Sequence, residues 1–183
     1  YVGGMKGMTD VAITLILAWS LGKMISGLGT AEFIVKFLQD MSFSASLVPA
    51  AVFLFGAFIS FSTGSSWGTF AIMMPLAIPM AHAFGIPFYI AVGAVLSGGL
   101  FGDHCSPISD TTILSSTGAG CGLVEHIKTQ LPYAAVNGTI AFIAYIITGL
   151  TGSEAALGFA VIALIVVVAV LNRISAARLA GKE

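Results

Sequence analysis

The sequence predicts an all-α, polytopic transmembrane fold with broken, re-entrant helices, and three observations carry that expectation. Only 8% of the 183 residues are charged and 57% are hydrophobic, whereas a soluble domain carries about 25% charged residues. The mean hydropathy is +1.02. Apolar runs recur along the chain, roughly six or seven of about 20 residues each, the length that crosses the hydrocarbon core. A net charge of -1 built from so few charges gives no footing for nucleic acid, which needs a basic surface. Two cysteines, Cys105 and Cys121, are too few for a disulfide framework and read as free thiols.

In chain order, Tyr1 is followed by no basic n-region and no cleavage site, so no signal peptide is expected, and the chain reads as part of a longer polypeptide. Thr9 to Leu28 forms a first span, with Lys23 near its end able to snorkel to the interface. Residues 30–40 are too short to span. Phe33, Ile34, Phe37 and Leu38 make one stripe while Glu32 and Lys36 pair at i,i+4, as in an amphipathic helix lying in the membrane interface. Leu47 to Ser60 is apolar, Phe70 to Phe84 is apolar with Pro75 and Pro79 inside it, and Ile86 to Phe101 is a further span. Leu131 to Leu150 and Glu154 to Asn172 close the series. Arg173, Arg178 and Lys182 place the C-terminal tail in the cytoplasm. The Glu125-His126-Ile127-Lys128 linker then lies on the same side and the Thr151-Gly152-Ser153 turn outside.

Two segments interrupt this pattern, about 60–69 and about 103–122. Both are rich in Ser, Thr and Gly, and Pro107 breaks any continuous helix in the second. Backbone that leaves the helix at membrane depth is tolerated only inside protein or beside a water-filled cavity. Secondary transporters build midplane ion sites from such breaks. Between Met41 and Val124 the only formally charged side chains are Asp103 and Asp110, and an unpaired carboxylate in apolar surroundings costs several kcal/mol. These observations converge on the second break. Asp103 also reads as a helix cap ahead of Pro107. His104 is a candidate for pH modulation or for an interfacial ring, while His82, Trp67 and Tyr133 read as packing or interfacial groups. Asn137, inside a span, reads as a partner for a neighbouring helix.

The run Gly102-Asp103-His104-Cys105-Ser106-Pro107-Ile108-Ser109-Asp110-Thr111-Thr112 resembles the motif of the NhaC-type sodium/proton antiporters. Ser62 to Thr69 and the following Met73-Met74-Pro75-Leu76 are similar to the same family's pattern. The resemblance runs from about Trp19 to Tyr145 and implies that residues 1–183 form a single transmembrane domain, the C-terminal half of a larger two-half transporter. It implies Na+ and H+ as transported ions, membrane lipid and the N-terminal half as partners, and a multi-pass protein of a prokaryotic cell membrane. Homo-oligomers fit that picture; nucleic acid and cofactors do not enter it. In this reading Asp110 alternately holds cation and proton with Asp103 as a second acid, while Ser109, Thr111, Thr63, Ser65 and Ser66 supply neutral oxygens. A Na+- or H+-coupled exchanger of organic acids or amino acids on the same fold is the alternative.

Enzyme readings fare worse. Gly64-Ser65-Ser66-Trp67-Gly68 matches G-x-S-x-G, with Ser66 as nucleophile, but that pattern needs a strand-turn-helix context, which two flanking apolar spans deny. Asp103, His104, Cys105 and Cys121 are zinc-compatible types, yet consecutive residues do not converge on one ion.

Overall fold

The computed structural model describes residues 16, 17, 20, 23, 24, 27–153 and 155–180. Among these there are only helices and their connections, no strand. The protein is all-α. The expected first span, Thr9 to Leu28, falls mostly outside the described residues.

Helix α1 is Thr30–Asp40, α2 Val48–Thr63, α3 Ser66–Ala83, α4 Phe88–Cys105, α5 Asp110–Ala119, α6 Leu123–Thr151 and α7 Ala155–Ala180; a 3-10 turn over Ala45–Leu47 leads into α2. Among the described residues, three helical stretches are long and apolar enough to cross a membrane: Ala45–Thr63, Phe88–Cys105 and Leu123–Thr151. The apolar stretch of α7, Gly158–Leu171, is shorter. α3 falls below that standard because its first turn is polar and Pro75, Pro79 and His82 dilute the rest. The Glu125–Lys128 stretch, expected as a linker, forms the opening turns of α6. Glu125 favours that start because its carboxylate sits at the positive end of the helix, and Lys128 bridges back to it at 3.4 Å. α7 runs past the expected end at Asn172 to Ala180.

α1 turns Ile34, Val35 and Leu38 toward the core and leaves Phe33 and Phe37 exposed, their rings stacked on each other. The apolar stripe expected there is therefore split between the protein interior and its outer surface.

The core is the contact of α2 with α4, closed over by α6. Phe53 is 1% exposed and its ring meets those of Phe101 at 5.8 Å, Tyr145 at 5.5 Å and Phe142 at 6.4 Å. The two backbones approach closely because α4 is lined with glycine. A Cβ at Gly102 would collide with Ala57 O, and would lie 2.8 Å from Phe61 N and from Ser60 Cβ. Gly98 is pressed on the Phe53 backbone in the same way. Small residues four apart are how helices pack where lipid removes the hydrophobic drive between them. Ser60 Oγ tightens the seam by donating to the Gly99 carbonyl at 2.6 Å.

Between α2 and α3 the chain turns at Gly64, whose φ of 68° is the left-handed conformation that ends a helix. Between α4 and α5 it is extended at Ser106 and again at Ser109. The two turns touch: a Cβ on Gly64 would lie 2.7 Å from Ile108 O. Gly64 thus has both an unusual φ and no room for a side chain.

Candidate cation site

Asp103 occupies the last turn of α4, with Gly102 before it locked against α2, so the carboxylate has little freedom to leave the interior. It is 1% exposed. The helix ends just beyond because Ser106 precedes a proline, which forces it extended, and Pro107 has no N–H to continue the ladder. The chain then doubles back to start α5. Ser109 is the N-cap of that helix, its Oγ accepting from Thr112 N at 3.4 Å. The same Ser109 Oγ donates to Asp103 Oδ1 at 2.9 Å, and Thr111 Oγ1 donates to Oδ2 at 2.7 Å. The two hydroxyl oxygens lie 2.7 Å apart.

Both carboxylate oxygens are therefore held by neutral hydroxyls. The single ion pair among the described residues, Glu125 with Lys128, is on the surface. This donor set of one carboxylate and neutral hydroxyl oxygens suits a hard cation, and the same carboxylate can hold a proton.

The expected site residues separate into two groups. Asp103, Ser109 and Thr111 are brought together. Asp110 is exposed in the first turn of α5, and its carboxylate has no hydrogen-bond partner among the described residues. Asp103 lies at a helix end, not a helix start, so the capping role expected of it falls to Ser109. Thr63 is exposed and bonds back to Ile59 O at 2.9 Å. Ser65 caps α3, its Oγ accepting from Gly68 N at 3.3 Å. Ser66 is 7% exposed at the start of α3. That start follows a helix and a turn, so the strand-turn-helix context of a hydrolase nucleophile is absent there. The first break contacts the second through Gly64 and Ile108, while its Thr63 and Ser65 hydroxyls serve their own backbone.

His104 is exposed and its Nδ1 donates to Leu100 O at 2.8 Å, while Gln130 Nε2 donates to the His104 carbonyl at 3.0 Å. Both line a groove of about 600 Å³ between α4, α6 and α7, together with Tyr133 and Asn137. Cys105 is buried and Cys121 exposed. Sequence reasoning passed over Thr112 and Ser116. They are 2% and 3% exposed, and with Ser109 they follow the 3-and-4 spacing of one helix face, which was the signal available for them.

Residues 1–150 match the profile of the Na+/H+ antiporter family. The chain belongs to that family. It is 41% identical over 169 residues to an uncharacterized protein of Haemophilus influenzae, covering 92% of this chain and 32% of that protein. It is 30% identical over 146 residues to the arginine/ornithine antiporter ArcD of Halobacterium salinarum, 80% of this chain and 30% of the relative. It is 35% identical over 91 residues to the Na+/H+ antiporter NhaC of Alkalihalophilus pseudofirmus, 50% of this chain and 20% of that protein. The chain thus spans about a third of the length of the first two relatives. No solved structure matches it. The family is one of membrane transporters, not enzymes, which agrees with the apolar helices and disposes of the hydrolase reading.

Proposed function

We propose that the whole protein is a multi-pass secondary transporter of a prokaryotic cell membrane that exchanges Na+ for H+, with Asp103 as the carboxylate that holds one or the other. The observation that carries this reading is the burial of Asp103 with both oxygens on hydroxyls and no cationic side chain paired to it among the described residues. A buried carboxylate in this setting is costly until a proton or a cation completes it. Because one carboxylate cannot hold both, proton binding on one side expels Na+ and a proton gradient drives Na+ the other way. Ser109 and Thr111 orient the carboxylate and lend it neutral oxygens. Asp110, on the exposed side of α5, is assigned the approach to the site as a second acid. His104 and the Thr63 to Ser66 turn stand outside the immediate oxygen set.

The test is Na+-dependent proton movement in vesicles carrying the full-length protein. Asp103→Asn abolishes it, and wild-type exchange from that variant overturns the reading. A second reading, coupling Na+ or H+ to an amino acid or organic acid, is supported by the 30% identity to ArcD and by the groove beside His104. Counterflow of arginine or lactate, absent from matched empty vesicles, favours it over simple cation exchange.

A further inference from the structure

The buried face of α5 is made of hydroxyls, and one of them has no partner among the described residues. Ser109 is engaged with Asp103, and Ser116 Oγ donates to Ile113 O at 2.9 Å. Thr112, 2% exposed, has an Oγ1 with no hydrogen-bond partner among the described residues. Leaving such a group unsatisfied forfeits its hydration without replacing it, and in native structures it calls for an explanation such as a missing ion. Thr112 adjoins Thr111, and its backbone N is the group that bonds Ser109 Oγ.

A count of hydrogens around Asp103 points to what the free hydroxyl is for. Three oxygen-oxygen contacts close a ring: Ser109 to Oδ1, Thr111 to Oδ2, and Ser109 to Thr111. The two hydroxyls bring two hydrogens. When Asp103 is protonated at Oδ1, its hydrogen goes to Ser109 Oγ, the Ser109 hydroxyl turns to donate to Thr111, Thr111 donates to Oδ2, and all three edges are filled. When Asp103 is ionised, both hydroxyls donate to it, and the 2.7 Å contact between Ser109 and Thr111 sets lone pair against lone pair. A cation drawing on those lone pairs relieves this, but one carboxylate and two hydroxyls leave a hard ion short of oxygen ligands.

We propose that Thr112 Oγ1 supplies a further oxygen, so that it is a ligand of the bound monovalent cation and takes no part when the ring holds a proton. This rests on the Asp103 reading and sharpens it, by assigning Thr112 to cation affinity alone. The experiment measures Na+-driven proton movement against Na+ concentration in proteoliposomes of the full-length protein. Thr112→Val, which keeps the shape and removes the hydroxyl, raises the half-saturating Na+ about tenfold, the scale of one lost charge-assisted contact. The maximal rate falls by less than that, and Thr112→Ser restores the affinity. Should Thr112→Val fail to accumulate, Thr112→Ala against Thr112→Ser isolates the hydroxyl in the same way. A wild-type half-saturation in the variants lacking the hydroxyl, with Asp103→Asn inactive, overturns the role of Thr112 and leaves the Asp103 reading standing. Persistent exchange in Asp103→Asn overturns the Asp103 reading itself.

Discussion

The two helix breaks have nearly the same composition and touch each other through Gly64 and Ile108, yet they are differently used. At Gly64-Ser65 the hydroxyls of Thr63 and Ser65 bond to backbone within four residues. At Ser106 to Thr111 the hydroxyls of Ser109 and Thr111 bond to a carboxylate six and eight residues away. The difference comes from Asp103, one turn before the break, held in place by the close glycine contact of α4 with α2. A polar break is a stop and a start of helices; it becomes a candidate ion site when a buried charge lies within reach of its hydroxyls.

Removing the hydroxyls of each break in turn tests that contrast. The double change Ser109→Ala with Thr111→Val strips both donors from Asp103 and lowers exchange about a hundredfold or more, at roughly 1.5–3 kcal/mol for each bond to a charged group; initial rates in proteoliposomes measure it. Next in size is Gly102→Ala, which pushes α4 off α2 at Ala57 O. Overpacking of this kind costs about 1–3 kcal/mol, read as a lower midpoint in thermal unfolding of the detergent-solubilised protein. Ser65→Ala, at the other break, costs about 1 kcal/mol as a lost N-cap and leaves half-saturating Na+ within twofold of wild type. A large rise in half-saturating Na+ from Ser65→Ala would erase the distinction between the breaks. The smallest effect belongs to Lys128→Ala, which removes an exposed pair and changes stability by about 0–0.5 kcal/mol.

Composition made the fold class legible, since near-absence of charge leaves helices in lipid as the main solution. The Gly98-to-Gly102 seam was not singled out in the sequence, because its partner on α2 depends on packing that no local pattern states. The linker expected at Glu125 to Lys128 turned out helical because favourable first-turn charge and an i,i+3 pair extend α6 where polarity alone suggested a loop. At the site, the sequence puts Asp110 first and explains Asp103 partly as a cap, because each is a lone acid among Ser, Thr and apolar residues and no local pattern states its burial. Their unequal burial arises from which side of Pro107 each falls on, Asp103 in a helix packed against α2 and Asp110 on the outer face of a ten-residue helix. Thr112 shows in the sequence only as part of the 3-and-4 spacing with Ser109 and Ser116, which marks one helix face without saying that the face is buried.

The proposed mechanism sets a proton and Na+ in competition for Asp103. It is tested most directly by proton release when Na+ is added to the purified full-length protein in weakly buffered detergent solution. Wild type and Asp110→Asn release protons on Na+ addition, while Asp103→Asn does not. Release that persists in Asp103→Asn, or that vanishes in Asp110→Asn alone, would contradict the account.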